Sequence, residues 1–280
     1  MTKVIGIGDN VVDKYLHLKT MFPGGNVLNF CVYAQKLGCE VAYIGTFGND
    51  EAAEYITKVL NEMKIDISHC RKYKGNNGYA EINIVEGDRV FVGSNKGGVS
   101  ASHPIILNKN DLNYIKQFDL VHSSCYSYLE KELFKIKNIN IPISFDFSNK
   151  IEDKYLNAIC PYLNYSFLSC SHLTEEETKR TLQKAISYGS KLALATRGIC
   201  GSILLYNQEY YYQNANEVKA IDTLGAGDSF ITSFLLNIIK EENKLSKGDI
   251  RKILLEASNY AAKTCLVHGA FGYGKKIKIV

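Results

Sequence analysis

No stretch of the 280-residue chain approaches the roughly 18 consecutive apolar residues that a membrane-spanning helix requires. The amino terminus, Met1-Thr2-Lys3-Val4-Ile5-Gly6, lacks the charged-then-apolar layout of a signal peptide and enters a strand pattern at once. A cytoplasmic protein with no membrane partner is therefore expected. Eight cysteines occur, none spaced Cys-x-x-Cys, and several lie in apolar runs such as Phe30-Cys31-Val32. They read as reduced, small apolar residues, and no ligand pair has zinc spacing. Excess charge is also absent: the net charge is +4, and the basic residues are spread out except in Lys275-Lys276-Ile277-Lys278. That tail reads as a solvated terminus, and no nucleic-acid partner is expected. There is no internal repeat, low-complexity segment or linker, so a single domain over 1–280 is expected. With 46% apolar residues it can bury a substantial core.

Strand-like and helix-like stretches alternate. Strands are expected at Lys3–Gly8, Val41–Thr46, Leu120–Ser123, Pro142–Phe147, Tyr165–Ser169, Lys191–Thr196 and Ser202–Tyr206. Helices are expected at Asn26–Leu37, Asp50–Met63 with Asp50 as cap, Thr174–Tyr188, Ala226–Lys240 and Ile250–Val267. This alternation argues for an α/β fold with a mostly parallel sheet between two helical layers. Ligands then gather at the carboxyl ends of the strands, in the loops after Gly8, Thr46, Ser123, Asp146 and Thr196. Gly78–Val85 and Arg89–Val92 break the rhythm and read as a β-hairpin, with the alternating Tyr15-Leu16-His17-Leu18 as a further strand beside it. A small β-sheet lid, with segments near 12–19 and 78–93, is the economical reading.

The most informative segment is Asp222-Thr223-Leu224-Gly225-Ala226-Gly227-Asp228, followed by Ser229-Phe230-Ile231-Thr232. Its glycines let backbone N–H groups approach an anion, and the helix that follows directs its positive end there. A carboxylate beside a bound phosphate is repelled by it, so Asp228 reads as a general base taking a proton from an attacking hydroxyl. Stabilisation of the helix start is the simpler alternative.

Other candidates surround this motif. Gly6-Ile7-Gly8 lacks the third glycine of a dinucleotide fingerprint, since position 11 is Val11. Asp9 and Asp13 suit hydrogen bonds to sugar hydroxyls, or are simply turn residues. Gly24-Gly25-Asn26-Val27-Leu28-Asn29 opens a helix that presents two amides on one face. N-capping accounts for Asn26 but not for Asn29. Thr196-Arg197-Gly198 and Gly201-Ser202 form a turn that is either plain or shaped for adenine or phosphate. His122 is a substrate-pocket candidate, and Arg89 on the hairpin is either a carboxylate partner or solvated.

Together the Gly24-Gly25-Asn26…Asn29 and Asp222–Asp228 motifs resemble the ribokinase (PfkB-type) family of carbohydrate kinases over nearly the whole chain. The resemblance implies a ribokinase-like three-layer sandwich with a lid and ATP with Mg2+ as cofactors, and it admits K+. It implies Asp228 as catalytic base and Gly225, Ala226 and Gly227 as anion hole. Asp9, Asp13, Gly25 and Asn29, with Asn26, would hold the acceptor sugar. Thr196, Gly198, Gly201 and Gly269 would border ATP, and Asp222 would help to hold a monovalent cation. Within the family, Phe145-Asp146-Phe147-Ser148, Asp88-Arg89-Val90-Phe91 and Ala261-Ala262-Lys263-Thr264 resemble the fructoselysine 6-kinase group. The substrate implied is a fructosyl amino acid phosphorylated at its 6-hydroxyl, with Arg89, His122 and Tyr126 near its zwitterion. A kinase for a plain sugar or nucleoside, or a non-catalytic sugar-binding regulator, is the alternative. The family's Asn-x-x-Glu motif is missing: the chain reads Ser169-Cys170-Ser171-His172-Leu173-Thr174-Glu175. The resemblance also admits a homodimer formed through the lid.

Overall fold

Side chains alternate across the first strand: Val4 joins one apolar layer and Ile5 and Ile7 the opposite one. This period of two, repeated from strand to strand, builds a sheet buried on both faces. The computed structural model describes residues 1–85, 88–241 and 245–278. Along the chain come β1 (Lys3–Gly8), β2 (Val11–Tyr15), β3 (Thr20–Gly24), α1 (Asn26–Lys36), β4 (Glu40–Phe47), α2 (Glu51–Glu62), β5 (Arg71–Lys72), β6 (Gly78–Val85) and β7 (Asp88–Ser94). Next are α3 (Val99–Ser102), α4 (Lys109–Ile115), β8 (Leu120–Ser124), α5 (Leu133–Asn138), β9 (Ile143–Asp146), α6 (Asp153–Ile159), β10 (Tyr165–Ser169) and α7 (Glu175–Ser187). The chain closes with β11 (Leu192–Thr196), β12 (Ser202–Tyr206), β13 (Glu209–Gln213), α8 (Ala226–Glu241), α9 (Lys247–Thr264) and β14 (Lys275–Lys276).

Among the described residues nine strands form the central sheet, in the order β13-β12-β11-β10-β9-β8-β1-β4-β5. Pairing is parallel from β11 to β5, and the edge strands β12 and β13 are antiparallel. One face packs on α1, α2, α8 and α9, the other on α4 to α7. The chain leaves β1 for β4 on one side and later returns to β8 on the other. That reversal at β1 opens a crevice at the strands' carboxyl ends, where open α/β sheets bind ligands.

A second sheet, ordered β14-β3-β2-β6-β7, forms the lid. Its first strand lies earlier than the alternation of residues 15–18 suggested. Leu18 N donates to Tyr15 O and Lys19 N to Leu16 O, both at 3.1 Å, so those residues form a turn. The expected hairpin is present as β6 and β7; its turn at Glu86-Gly87 lies outside the described residues. The basic tail is not a free terminus: Lys275 and Lys276 pair with Met21 and Thr20 on β3. Lys275 also meets Glu51 at 2.8 Å. The last helix starts earlier than expected because Ser246 and Asp249 form a capping box.

Candidate active site

The loop after β1 sets the site. Asp9 is 7% exposed and accepts from Asn26 N at 2.7 Å and Val27 N at 3.4 Å. It therefore satisfies the open N–H groups of α1 from outside the helix. Gly25, the residue before α1, has φ +114°, and a Cβ there would lie 3.0 Å from Asp9 Oδ2. Glycine is needed for that close approach. Ser124 Oγ at 2.7 Å and Ser127 Oγ at 3.1 Å also donate to Asp9. Asp9, expected as a sugar ligand, here anchors α1, and Asn26 is not the cap. Asp13 on β2 is buried, and its carboxylate stands beside Gly24 and the side chain of Asn29.

With α1 fixed, Asn26 and Asn29 project together into the crevice. Asn29 Nδ2 donates to Asp228 Oδ2 at 2.6 Å. Asn26 Nδ2 donates to Asp228 Oδ1 at 3.2 Å and to Asp146 Oδ2 at 2.5 Å. These carboxylate partners fix both amide orientations, leaving Asn26 Oδ1 and Asn29 Oδ1 buried with no hydrogen-bond partner. Two orphan acceptors beside a carboxylate suit hydroxyl donors of a ligand. The pairing of Asn26 with Asn29 follows the three-residue spacing read from the sequence.

Asp228 lies in the first turn of α8. Gly225 before it has φ +75°, and a Cβ there would come within 2.7 Å of Ala270 Cβ. Ala226 N turns back to Thr223 O at 3.3 Å and Ser229 N to Gly225 O at 2.9 Å. A Cβ on Gly227 would meet nothing within 4 Å, so the space before the helix end is open to an anion. Asp222 braces this loop: it accepts from Leu224 N at 3.0 Å, Gly269 N at 2.9 Å and Tyr15 Oη at 2.5 Å. The lid, the loop before α8 and the loop at Gly269 thus meet on one carboxylate. Asp222, expected at a cation, acts here as this clamp. Gly269 packs against the Phe22 ring.

Burial and the neighbouring Asp146 carboxylate hold the Asp228 proton well above the usual carboxylate range, with Asn29 opposing them. Burial raises Asp146 to about 6. This enclosure among acids sets Asp228 apart from an ordinary exposed aspartate. Asp146 was not singled out by residue chemistry, although it ends a strand on the predicted ligand edge.

On the other side of the crevice, Thr196 ends β11 and accepts through its carbonyl from Cys170 N at 2.8 Å. Gly198 (φ +60°) borders Ser171, and Gly201 (φ +79°) lies against Gln213 and Asn214. Asn214 O accepts from Ser258 Oγ of α9 at 3.2 Å, so these loops form one continuous wall. Arg197 Nε is buried there without a partner, a donor that its motif did not single out. Glu175 is paired with Lys179 at 2.7 Å. One expected pocket residue, His122, does not join the site. His122 is 2% exposed, stacks on Phe30 at 4.2 Å and bonds Ser144 Oγ through Nδ1 at 2.8 Å. Burial lowers it to about 3, so it is a neutral residue packed within the fold. The Arg89 side chain lies outside the described residues. No helix among them is long and apolar enough to cross a membrane.

Comparison with known proteins agrees with this geometry. Residues 9–272 match the pfkB family of carbohydrate kinases. The fructosamine kinase FrlD of Bacillus subtilis (strain 168) is 45% identical over 273 residues, covering 97% of this chain and 94% of that protein. The fructoselysine 6-kinase of Escherichia coli (strain K12) is 32% identical, covering 97% and 100%. An Arabidopsis thaliana ribokinase solved with ribose and ATP superposes with TM-score 0.80 at 18% identity, covering 97% of this chain and 95% of that one. The fold is ribokinase-like, and the chain belongs to the pfkB family of carbohydrate kinases, enzymes that phosphorylate sugars.

Proposed function

We propose that this chain transfers the γ-phosphoryl group of ATP to the 6-hydroxyl of a fructosyl amino acid, with Asp228 as general base. The observation that carries the proposal is Asp228 itself, in the first turn of α8 with an amide of α1 on each oxygen. In this reading the sugar lies between Asp13 and the Oδ1 atoms of Asn26 and Asn29. Its reacting hydroxyl gives its proton to Asp228 as it attacks. The N–H groups at Gly225–Gly227 and the positive end of α8 take up the charge gathering on the phosphoryl oxygens. Thr196, Gly198 and Gly201 border the nucleotide. Arg197 supplies a further donor there.

Among the described residues no group of three or more His, Cys, Asp or Glu side chains is placed to hold a metal ion. Mg2+ would enter on the nucleotide's phosphates, as this ion commonly does, and would neutralise phosphate charge there. The substrate class rests on the likeness to the two fructosyl-amine kinases. An ATP-consumption assay with fructosyl-lysine, fructose, ribose and adenosine at equal concentrations tests it. The highest kcat/KM is expected for fructosyl-lysine, and a preference for ribose or adenosine would overturn the assignment. The exposed Phe91 and Val92 on β7 suit contact with a second copy, which sedimentation would detect as a dimer.

A further inference from the structure

Four carboxylates face the amino end of α1: Asp9, Asp13, Asp146 and Asp228. Asp9 is occupied by four donors of the protein itself. Asp228 serves the reacting hydroxyl. Asp13 and the two orphan amide oxygens suffice for the remaining hydroxyls of a neutral sugar. Asp146 exceeds that need. It is 4% exposed, and its oxygens accept from Ser148 N at 2.7 Å and Asn26 Nδ2 at 2.5 Å, both neutral groups. Among the described residues no Lys or Arg forms an ion pair with it, and its charged neighbours are the carboxylates of Asp9 and Asp228. An enclosed anion beside like charges is costly unless a cation meets it. Among the described residues none does so.

The next loop residues continue the pattern outward. Cys125 N donates to Asp146 O at 2.9 Å, which joins the loops after β8 and β9. Tyr126 Oη donates to Ser148 Oγ at 3.1 Å, so its ring stands over the same loop. Lys150 Nζ lies 4.6 Å from that ring's centroid and donates to Cys125 O at 3.0 Å. Lys150 and Tyr126 are exposed. From inside outward the wall therefore presents an anion, an aromatic ring and a cation. Fructosyl-lysine joined through its ε-nitrogen presents a matching order: a secondary ammonium on C1, an alkyl chain, then an α-carbon that bears a carboxylate beside its own ammonium.

We infer that Asp146 is the specificity-determining residue that holds the substrate's secondary ammonium, with Tyr126 and Lys150 seating the amino acid beyond it. This rests on the substrate class proposed above and adds the residues that read it. The ammonium fills the electrostatic gap at Asp146 that plain fructose leaves open, so the distinction between the two substrates arises at C1, away from the transferred phosphoryl group.

The full-length enzyme, saturated with ATP, tests this. For the wild type, kcat/KM is compared between N-fructosyl-methylamine and 1-O-methyl-fructose, which differ in the charged nitrogen. A preference of roughly 10- to 100-fold for the amine is expected, the worth of a hydrogen bond to a charged group. In Asp146→Asn, the ratio of kcat/KM for fructosyl-methylamine to that for fructose should fall by a similar factor, mainly through KM. In Lys150→Met, the ratio for fructosyl-lysine to fructosyl-methylamine should fall up to about fivefold, as for an exposed charge pair. Equal use of amine and ether by the wild type overturns the inference without any variant. So does a parallel loss on all substrates in Asp146→Asn, which marks a structural role. A wild type that phosphorylates fructose but no fructosyl amine overturns the substrate class itself, and the inference with it. A wild type active on fructosyl amines with an unchanged ratio in Asp146→Asn overturns only the residue assignment.

Discussion

Asn26 holds one amide nitrogen between two acids, 2.5 Å from Asp146 Oδ2 and 3.2 Å from Asp228 Oδ1. The two carboxylates titrate as a coupled pair, and burial favours their protonated forms. Asp228 must be ionised to accept a proton.

Activity is therefore lost as pH falls through a raised value, not through the ordinary aspartate value of about 3.9. The acid limb of a kcat/KM profile is expected well above the ordinary aspartate range, because burial and the Asp146 carboxylate raise Asp228. Asp146→Asn removes a neighbouring negative charge, so the limb should move to lower pH. A limb near pH 4 in the wild type would contradict this environment.

Asn29 donates to Asp228, the base in the proposed mechanism, and its Oδ1 is buried without a partner. Asn29→Ala removes a hydrogen bond to a charged group, worth about 1.5–3 kcal/mol. A fall in kcat/KM of roughly 10- to 100-fold is expected, with the acid limb displaced upward in pH. Steady-state kinetics across pH measure both effects.

Tyr15 ties the lid to the loop before α8 through Asp222. Tyr15→Phe leaves the ring packed against Phe22 and removes the hydroxyl. Stability should fall by about 1–3 kcal/mol, read from a denaturant midpoint. Asp222→Ala should cost more, because Leu224 N and Gly269 N also lose their acceptor.

His122 belongs to packing and not to the pocket. His122→Ala should lower stability by about 3 kcal/mol, as for a truncated core ring. The KM for sugar should stay within about twofold, since no surface of the site is removed. A raised KM with unaltered stability would return His122 to the pocket.

Much of this was legible in the residues. Gly225 and Gly227 read as a loop open to close approach, and the structure gives Gly225 φ +75° and leaves the space at Gly227 empty. The spacing of Asn26 and Asn29 fixes their shared face on any α-helix. The sheet's carboxyl-edge loops followed from strand order alone. What the chain concealed depends on contacts distant in sequence. Asp9 caps α1 from 17 residues away, a role that neither its neighbours nor its own turn propensity discloses. The raised pKa of Asp228 comes from burial within the assembled fold and from Asp146, which arrives on another strand. The strand over Lys275–Lys276 has no periodicity of its own and exists because β3 offers a free edge. His122 resembled a pocket residue since its loop begins at a ligand-facing strand end, yet it points into the layer under Phe30.

The most direct test is phosphoryl transfer by Asp228→Asn, which keeps the shape of the side chain and removes the base. ATP binding by calorimetry and the thermal midpoint should match the wild type. Turnover of fructosyl-lysine should fall by a factor of about 100 to 10,000, or roughly 3–5 kcal/mol in activation free energy. Turnover within a factor of about two of the wild type would remove Asp228 from the reaction and with it the mechanism proposed here.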